Sequence, residues 1–226
     1  MSVNYHDILA AVALRANALV GAKAAPLEAT YITRPLTSAD FQSSIFPFSD
    51  FRTAILSAEQ KLAQTIANSN DESQRAYLMS QTAGLVNGDL LPSADLTGAP
   101  IIGPYGAVVD GTDTSIVCTR QPVQIVRRFN ANTALWSIPL YYFAFTGNRI
   151  EHTRSTVILE CPVYDYGAQV TAFDADGDMV LADGLMEALI CGGISMLIRD
   201  DEFMEQAKMY VTYFNNTLES FKTKAA

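Results

Sequence analysis

A chain of 226 residues with 49% hydrophobic and 17% charged residues has ample material for a core, which excludes a disordered protein. Its formal net charge of −9 excludes binding to nucleic acid by phosphate neutralisation, although an acidic surface suits a protein that DNA passes without sticking. Cys118, Cys161 and Cys191 lie far apart in apolar runs and read as small buried hydrophobes in a reducing compartment, and no apolar run reaches the ~18 residues of a membrane span.

The first helix is expected over Asn4 to Val20, with Tyr5, Ile8, Leu9, Val12, Ala16, Leu19 and Val20 on one face and Gly21 as its stop. The apolar run here superficially resembles a signal peptide, but Asp7 precedes it, Arg15 interrupts it and a basic leader is missing. Ala24 to Pro47 is a long connection holding Pro26 and Pro35. Ser49 is expected to cap a second helix, Asp50 to about Asn68, whose stripe is Phe51, Ile55, Ala58, Leu62 and Ile66. Asn70 or Asp71 then caps a third helix to about Val86.

From Leu90 the texture changes to clustered Gly and Pro between short β-branched runs. Asp110-Gly111 and Gly147-Asn148 mark turns. Strands are expected at Val123 to Arg128, Leu140 to Thr146, Arg149 to His152 and Thr156 to Val163, in a meander rather than a parallel sheet. Tyr141, Phe143 and Phe145 fall on one strand face, and with Trp136 they read as core or subunit contact before they read as a base-stacking platform. Asp183 to Lys222 reads as two helices joined by the acidic turn Arg199-Asp200-Asp201-Glu202. Gly192 and Gly193 interrupt the first of these helices at a cost of about 1 kcal/mol each, which implies close approach of another segment. The second helix carries Phe203, Ala207, Tyr210, Phe214, Leu218 and Phe221 at steps of three and four.

The order helices, strands, helices specifies an α+β fold: a helical bundle of N-terminal helices and a C-terminal helical hairpin, with an inserted antiparallel β meander or arm. The expected divisions are 1–89 for the N-terminal helical part, 90–173 for the β-rich insertion and 174–226 for the hairpin.

Catalytic signatures fail in turn. Gly193-Ile194-Ser195-Met196-Leu197 begins like a nucleophile elbow, yet Leu197 stands where the last Gly belongs and the stretch is helical. Asp174-Ala175-Asp176-Gly177-Asp178 has the acid density of a calcium loop, but its sixth and twelfth positions are Met179 and Leu185. His6 and His152 lack zinc spacing, and Glu151-His152 is expected to be exposed after a turn. Gly103 to Gly111 contains no phosphate-cradling motif. Neither a cofactor, a metal nor an enzymatic activity is therefore expected. Charge is uneven: five arginines (Arg120, Arg127, Arg128, Arg149, Arg154) meet one acid, Glu151, between 120 and 154, whereas ten acids meet two bases between 174 and 219. These regions read either as two faces of a heterologous subunit contact or as separate solvated faces.

YYFAFTGNRIEHTRSTVILECPVYD, then LADGLMEALICGGISMLIRDDEFMEQAKMYVTYFNNTLESFK, and the earlier FSDFRTAILSAEQKLAQTI together resemble the head-to-tail adaptor (head-completion, or neck) proteins of tailed bacteriophages. The shared pieces are a strand hairpin, an EAL-bearing helix, a DD-E turn and an amphipathic helix rich in Tyr and Phe. Together they span about two thirds of the chain. The resemblance implies a structural virion protein: a ring, typically a dodecamer, made in the host cytoplasm and sited in the virion neck. It would join the portal protein to a tail nozzle or tail-tube protein, extend the DNA channel and touch DNA in transit. Tyr210, Tyr213, Phe214, Leu218, Phe221, Lys222 and Lys224 then become candidate portal contacts. Arg120, Arg127, Arg128, Arg149, Arg154, Asp200, Asp201 and Glu202 become candidate subunit contacts, and Leu91 to Gln121 an arm. The family's plainer members often carry a smaller β insertion. Two other readings stand beside this one: a virion-associated cell-wall hydrolase using Glu151 with Asp165, and a tail-tube or capsid-decorating binding protein.

Overall fold

The computed structural model describes residues 3–19, 36–41, 46–132, 139–198 and 201–223, with side chains omitted at 201, 202 and 223. The fold is α+β and divides into a helical unit, Met1–Tyr77 with Asp165–Ala226, and a β-rich unit, Leu78–Tyr164. Most of the connection Ala24 to Pro47, together with Trp136, Arg199, Asp200 and Lys224, lies outside the described residues.

The helical unit is organised by α1 (Tyr5–Leu19), α2 (Phe48–Ala67), α6 (Met186–Leu197) and α7 (Asp201–Thr223). Ala188 to Ile194 of α6 is buried without a break, as its near-absence of polar residues requires, and α6 packs against α1, α2 and α7. Its glycine pair makes this possible. A Cβ on Gly192 would stand 2.7 Å from the Phe214 ring and 2.8 Å from the Ala58 Cβ, and one on Gly193 would stand 3.2 Å from both Ile55 and Val12. The close neighbours are side chains of three other helices. In α2 the expected stripe is fully buried, but the helix begins at Phe48 with Pro47 at its N-cap. Ser49 is already inside the first turn, where its carbonyl accepts from the Thr53 hydroxyl at 2.8 Å. Buried Glu59 accepts from the Tyr5 hydroxyl at 2.5 Å and the Val180 N–H at 3.1 Å, tying α1 and the 178–182 segment to α2.

Two short helices depart from expectation. Asp71 caps α3 by accepting from the Gln74 N–H, but α3 is one turn, Glu72–Arg75, because Met79–Gln81 is taken as a strand. Asp165 caps a helix, α5 (Tyr166–Asp174), by accepting from the Gly167 and Ala168 N–H groups. The helix closes with Gly177 N–H to Ala172 carbonyl (2.7 Å) and Asp176 N–H to Phe173 carbonyl (3.2 Å), with Asp176 at φ 55°. That is a Schellman close, so the acidic run between 174 and 178 is a helix terminus and not a calcium loop.

In the β-rich unit, β1 (Met79–Gln81) and β2 (Val108–Asp110) flank β6 (Val157–Pro162), both antiparallel, while β3 (Thr119–Arg120) and β5 (Arg149–His152) flank β4 (Tyr142–Thr146). The order is not a meander: among the described strands only β4 and β5 form an antiparallel hairpin of consecutive strands, joined by Gly147 at φ 61°, and β3 pairs parallel to β4. Val123 to Arg128 is helical, within α4 (Val123–Ala131), because Pro122 supplies the N-cap and Val126 and Phe129 share one face. The insertion therefore spans 78–164 rather than 90–173: β1 at its start and β6 near its end are hydrogen-bonded partners, and the Val163 N–H donates to the Leu78 carbonyl at 2.8 Å. Leu85 to Leu91 straps both sheets, bonding to Val157 and then to Ile150 and Asn148. Between the sheets lie Leu85, Val108, Cys118, Phe143, Ile150, Val157 and Leu159, with Tyr141 and Phe145 against them.

Candidate docking surface

The amphipathic pattern of α7 decides which of its residues can meet a partner. Phe214, Leu218 and Phe221 are 2%, 4% and 6% exposed, so these three candidate portal contacts are spent on the bundle's own core. Tyr210 is half-buried, whereas Tyr213 is exposed one turn beyond exposed Met209 on the opposite face. Lys222 is exposed and pairs with Glu219 at 2.7 Å.

Lys222 also lines a cleft of about 310 Å³, whose other wall is a single ridge of α2: Lys61, Gln64, Thr65 and Asn68, spaced i, i+3, i+4, i+7. The Lys61 ammonium lies 5.6 Å from the centre of the Phe214 ring. Thr65 donates to the Lys61 carbonyl and Asn68 to the Gln64 carbonyl, which keeps both side chains against the helix. Three turns earlier the same ridge, as Asp50, Thr53, Ala54 and Ser57, lines a second cleft of about 300 Å³ with Met196 and Leu197. The cleft at Lys61 was missed at the sequence level. The run from Gln60 to Asn70 is free of carboxylates, but longer carboxylate-free runs at 8–27 and 114–150 leave it without a distinguishing signal.

The arginines of the β-rich unit do not form one free basic face. Arg127 grips Glu151 through Nε and Nη2 (Nη2 to Oε1 2.5 Å), and hydrogen bonding from Arg127 holds the Glu151 carboxyl below its ordinary range. Arg154 pairs with fully buried Asp110 and stacks 4.6 Å from the Tyr141 ring centre. Burial pushes the Asp110 carboxyl up, but the Thr112 hydroxyl and N–H and the Arg154 guanidinium outweigh it and bring it down to about 2. Arg149 donates to the Gly88 carbonyl at 2.6 Å, and Arg120 lies 5.8 Å from the Phe145 ring centre. Arg128 is exposed on α4. Asp200 and the side chains of Asp201 and Glu202 lie outside the description.

The residues considered for chemistry are buried or take structural roles. His152 is not exposed but 1% accessible, facing Phe143 across the β4–β5 pair. Burial lowers its pKa, and neither ring nitrogen has a hydrogen-bond partner among the described residues. The Leu36 N–H donates to His6 Nδ1 at 3.1 Å. Asp165 caps α5, and the Ser195 hydroxyl donates to the Gly192 carbonyl at 2.8 Å, inside its helix. All three cysteines are buried, and burial raises the Cys161 and Cys191 thiols to about 11, which suppresses thiolate chemistry at neutral pH. Among the described residues no cluster of three His, Cys, Asp or Glu side chains is placed to hold a metal ion, and no helix is long and apolar enough to cross a membrane. No protein-family model matches the chain, and no curated protein matches it.

Proposed function

We propose that this chain is a structural virion protein, a head-to-tail adaptor that joins a phage portal to the tail and extends the DNA channel. The observation that carries this reading is the organisation of the helical unit. A β-rich insertion interrupts it, and a 23-residue helix closes it with Met209 (68% exposed) and Tyr213 (47% exposed) on the outer face. That face supplies a two-residue apolar anchor of the type that concentrates binding energy at interfaces. In this reading Tyr213 and Lys222 face the portal, the chain assembles as a ring of about twelve copies in the virion neck, and an acidic surface lets DNA slide through.

The test is negative-stain microscopy of the purified protein mixed with its cognate portal protein. Rings seated on the portal's narrow end are expected, and the double variant Met209→Ser/Tyr213→Ser should weaken them at least tenfold. Binding to tail proteins alone, or lysis of cell walls by the purified chain, would overturn the reading.

A further inference from the structure

We propose that the cleft between α2 and the last turn of α7 is a recognition site for an acidic peptide segment of a partner protein, with the partner's carboxylates seated between Lys61 and Lys222. This inference does not rest on the adaptor reading, because it concerns the charge selectivity of one cleft in the isolated protein.

Three observations carry it. First, the cleft inverts the local charge: its lining residues are two lysines, two amides and one hydroxyl, with no carboxylate, in a chain of net charge −9. Second, its cations are available. Within the described helical unit, Arg15, Arg52, Lys208 and Lys222 each have a carboxylate partner, whereas Lys61 has no carboxylate within 4.0 Å and rests on the Phe214 ring. The Lys222–Glu219 pair is more than half exposed at both ends, so Lys222 exchanges Glu219 for an incoming carboxylate at little cost. Third, the ridge has a peptide's dimensions. From Lys61 to Asn68 is about 10 Å along the helix, the length of about three extended residues. The Gln64 amide, one turn from Lys61, adds a donor for the same carboxylate or for the partner's backbone.

A nucleic-acid backbone fits less well. Two lysines neutralise at most two phosphates, and the remaining surface of an acidic chain repels a long polyanion. A peptide with a few carboxylates matches the two cations and the amide between them.

The experiment is a heteronuclear NMR titration of the full-length ¹⁵N-labelled chain with a blocked pentaglutamate peptide, a method that reads millimolar binding and locates it. Expected are amide shifts concentrated at residues 61–68 and 219–223. The apparent affinity should fall about fivefold in Lys61→Gln and again in Lys222→Gln, the worth of about one ion pair each. Lys208→Gln removes the same charge from α7 outside the cleft and should leave the titration unchanged. Three results would overturn the proposal: shifts scattered over Arg120, Arg128 and Arg149, equal weakening by all three variants, or an equal response to inorganic phosphate. So would a short DNA duplex that gives the same shifts at lower concentration. Circular dichroism of each variant confirms that the bundle is intact.

Discussion

Replacing Gly192 with Ala tests the packing of the helical unit at its tightest point. Alanine raises intrinsic helix propensity by about 1 kcal/mol, so on local grounds the variant should be more stable. The added methyl would stand 2.7 Å from Phe214 Cε2 and 2.8 Å from Ala58 Cβ, about 1 Å inside ordinary carbon–carbon contact. Ala58 is fixed to the α2 backbone, and the Phe214 ring is 2% exposed beneath the Lys61 ammonium, so neither neighbour has a free direction of retreat. Overpacking of this kind costs about 1–3 kcal/mol, and with two immovable neighbours the upper part of that range applies. The net expectation is a loss of about 1–2 kcal/mol, a Tm lower by roughly 3–8 °C in a scanning calorimeter or thermal melt. Gly193→Ala, whose methyl meets Ile55 and Val12 at the longer distance of 3.2 Å, should fall by less, and Gly184→Ala, with nothing within 4 Å, by almost nothing. Phe214→Leu added to Gly192→Ala should recover part of the loss, giving a favourable coupling in the double-mutant cycle. A Gly192→Ala protein that melts higher than the parent would refute the packing argument.

The remaining predictions concern charge, pH and the chain end. The Asp110 carboxyl stands at about 2 in the fold against 3.8 when free, so its contribution of about 2 kcal/mol is present above pH 4 and is lost as pH falls toward 2. Asp110→Asn should therefore destabilise the β-rich unit at pH 7 and remove that acid dependence, read by urea denaturation at pH 7, 4 and 3. The pKa of His152 is lowered by burial, so the folded state resists its protonation. Stability is then full above the ordinary histidine value of 6.5 and declines as pH drops below it, and His152→Leu should flatten that decline between pH 7 and 5. Hydrogen exchange in the strap at residues 85–91 should report the same difference. Deleting Ser220 to Ala226 removes buried Phe221 and should cost about 2 kcal/mol, read as a lower melting temperature. Glu151→Ala/Asp165→Ala should alter the melting temperature through the lost Arg127 pair and α5 cap without altering any lytic activity, assayed on purified cell walls.

The elements most legible in the sequence were those whose pattern and partner agree. The stripe of α2 and that of the last helix bury residues that their periodicity marks, and the return strand Arg149–His152 stands where it was expected, although His152 is buried rather than exposed. Val123 to Arg128 misled because β-branched residues on a short amphipathic helix look like a strand; only Pro122 and the Val126–Phe129 spacing point the other way. Met79–Gln81 misled because its identity as a strand is set by β6, some eighty residues later. Three of the candidate contacts on α7, Phe214, Leu218 and Phe221, fell on the buried face for the same reason that they were found at all. A strong apolar stripe marks what a helix buries, and a docking face has to be read from the weaker pattern left outside.

The β1–β6 pairing has one more consequence. Since the chain enters and leaves the insertion on adjacent hydrogen-bonded strands, closed by Val163 to Leu78, the two ends of residues 78–164 lie side by side within the β-rich unit. Paired ends of this kind offer one place at which the chain can be cut and rejoined. Residues 78–164 can be lengthened, shortened or exchanged with the cut at these paired ends, and the helical halves then need only a tight loop to close the gap.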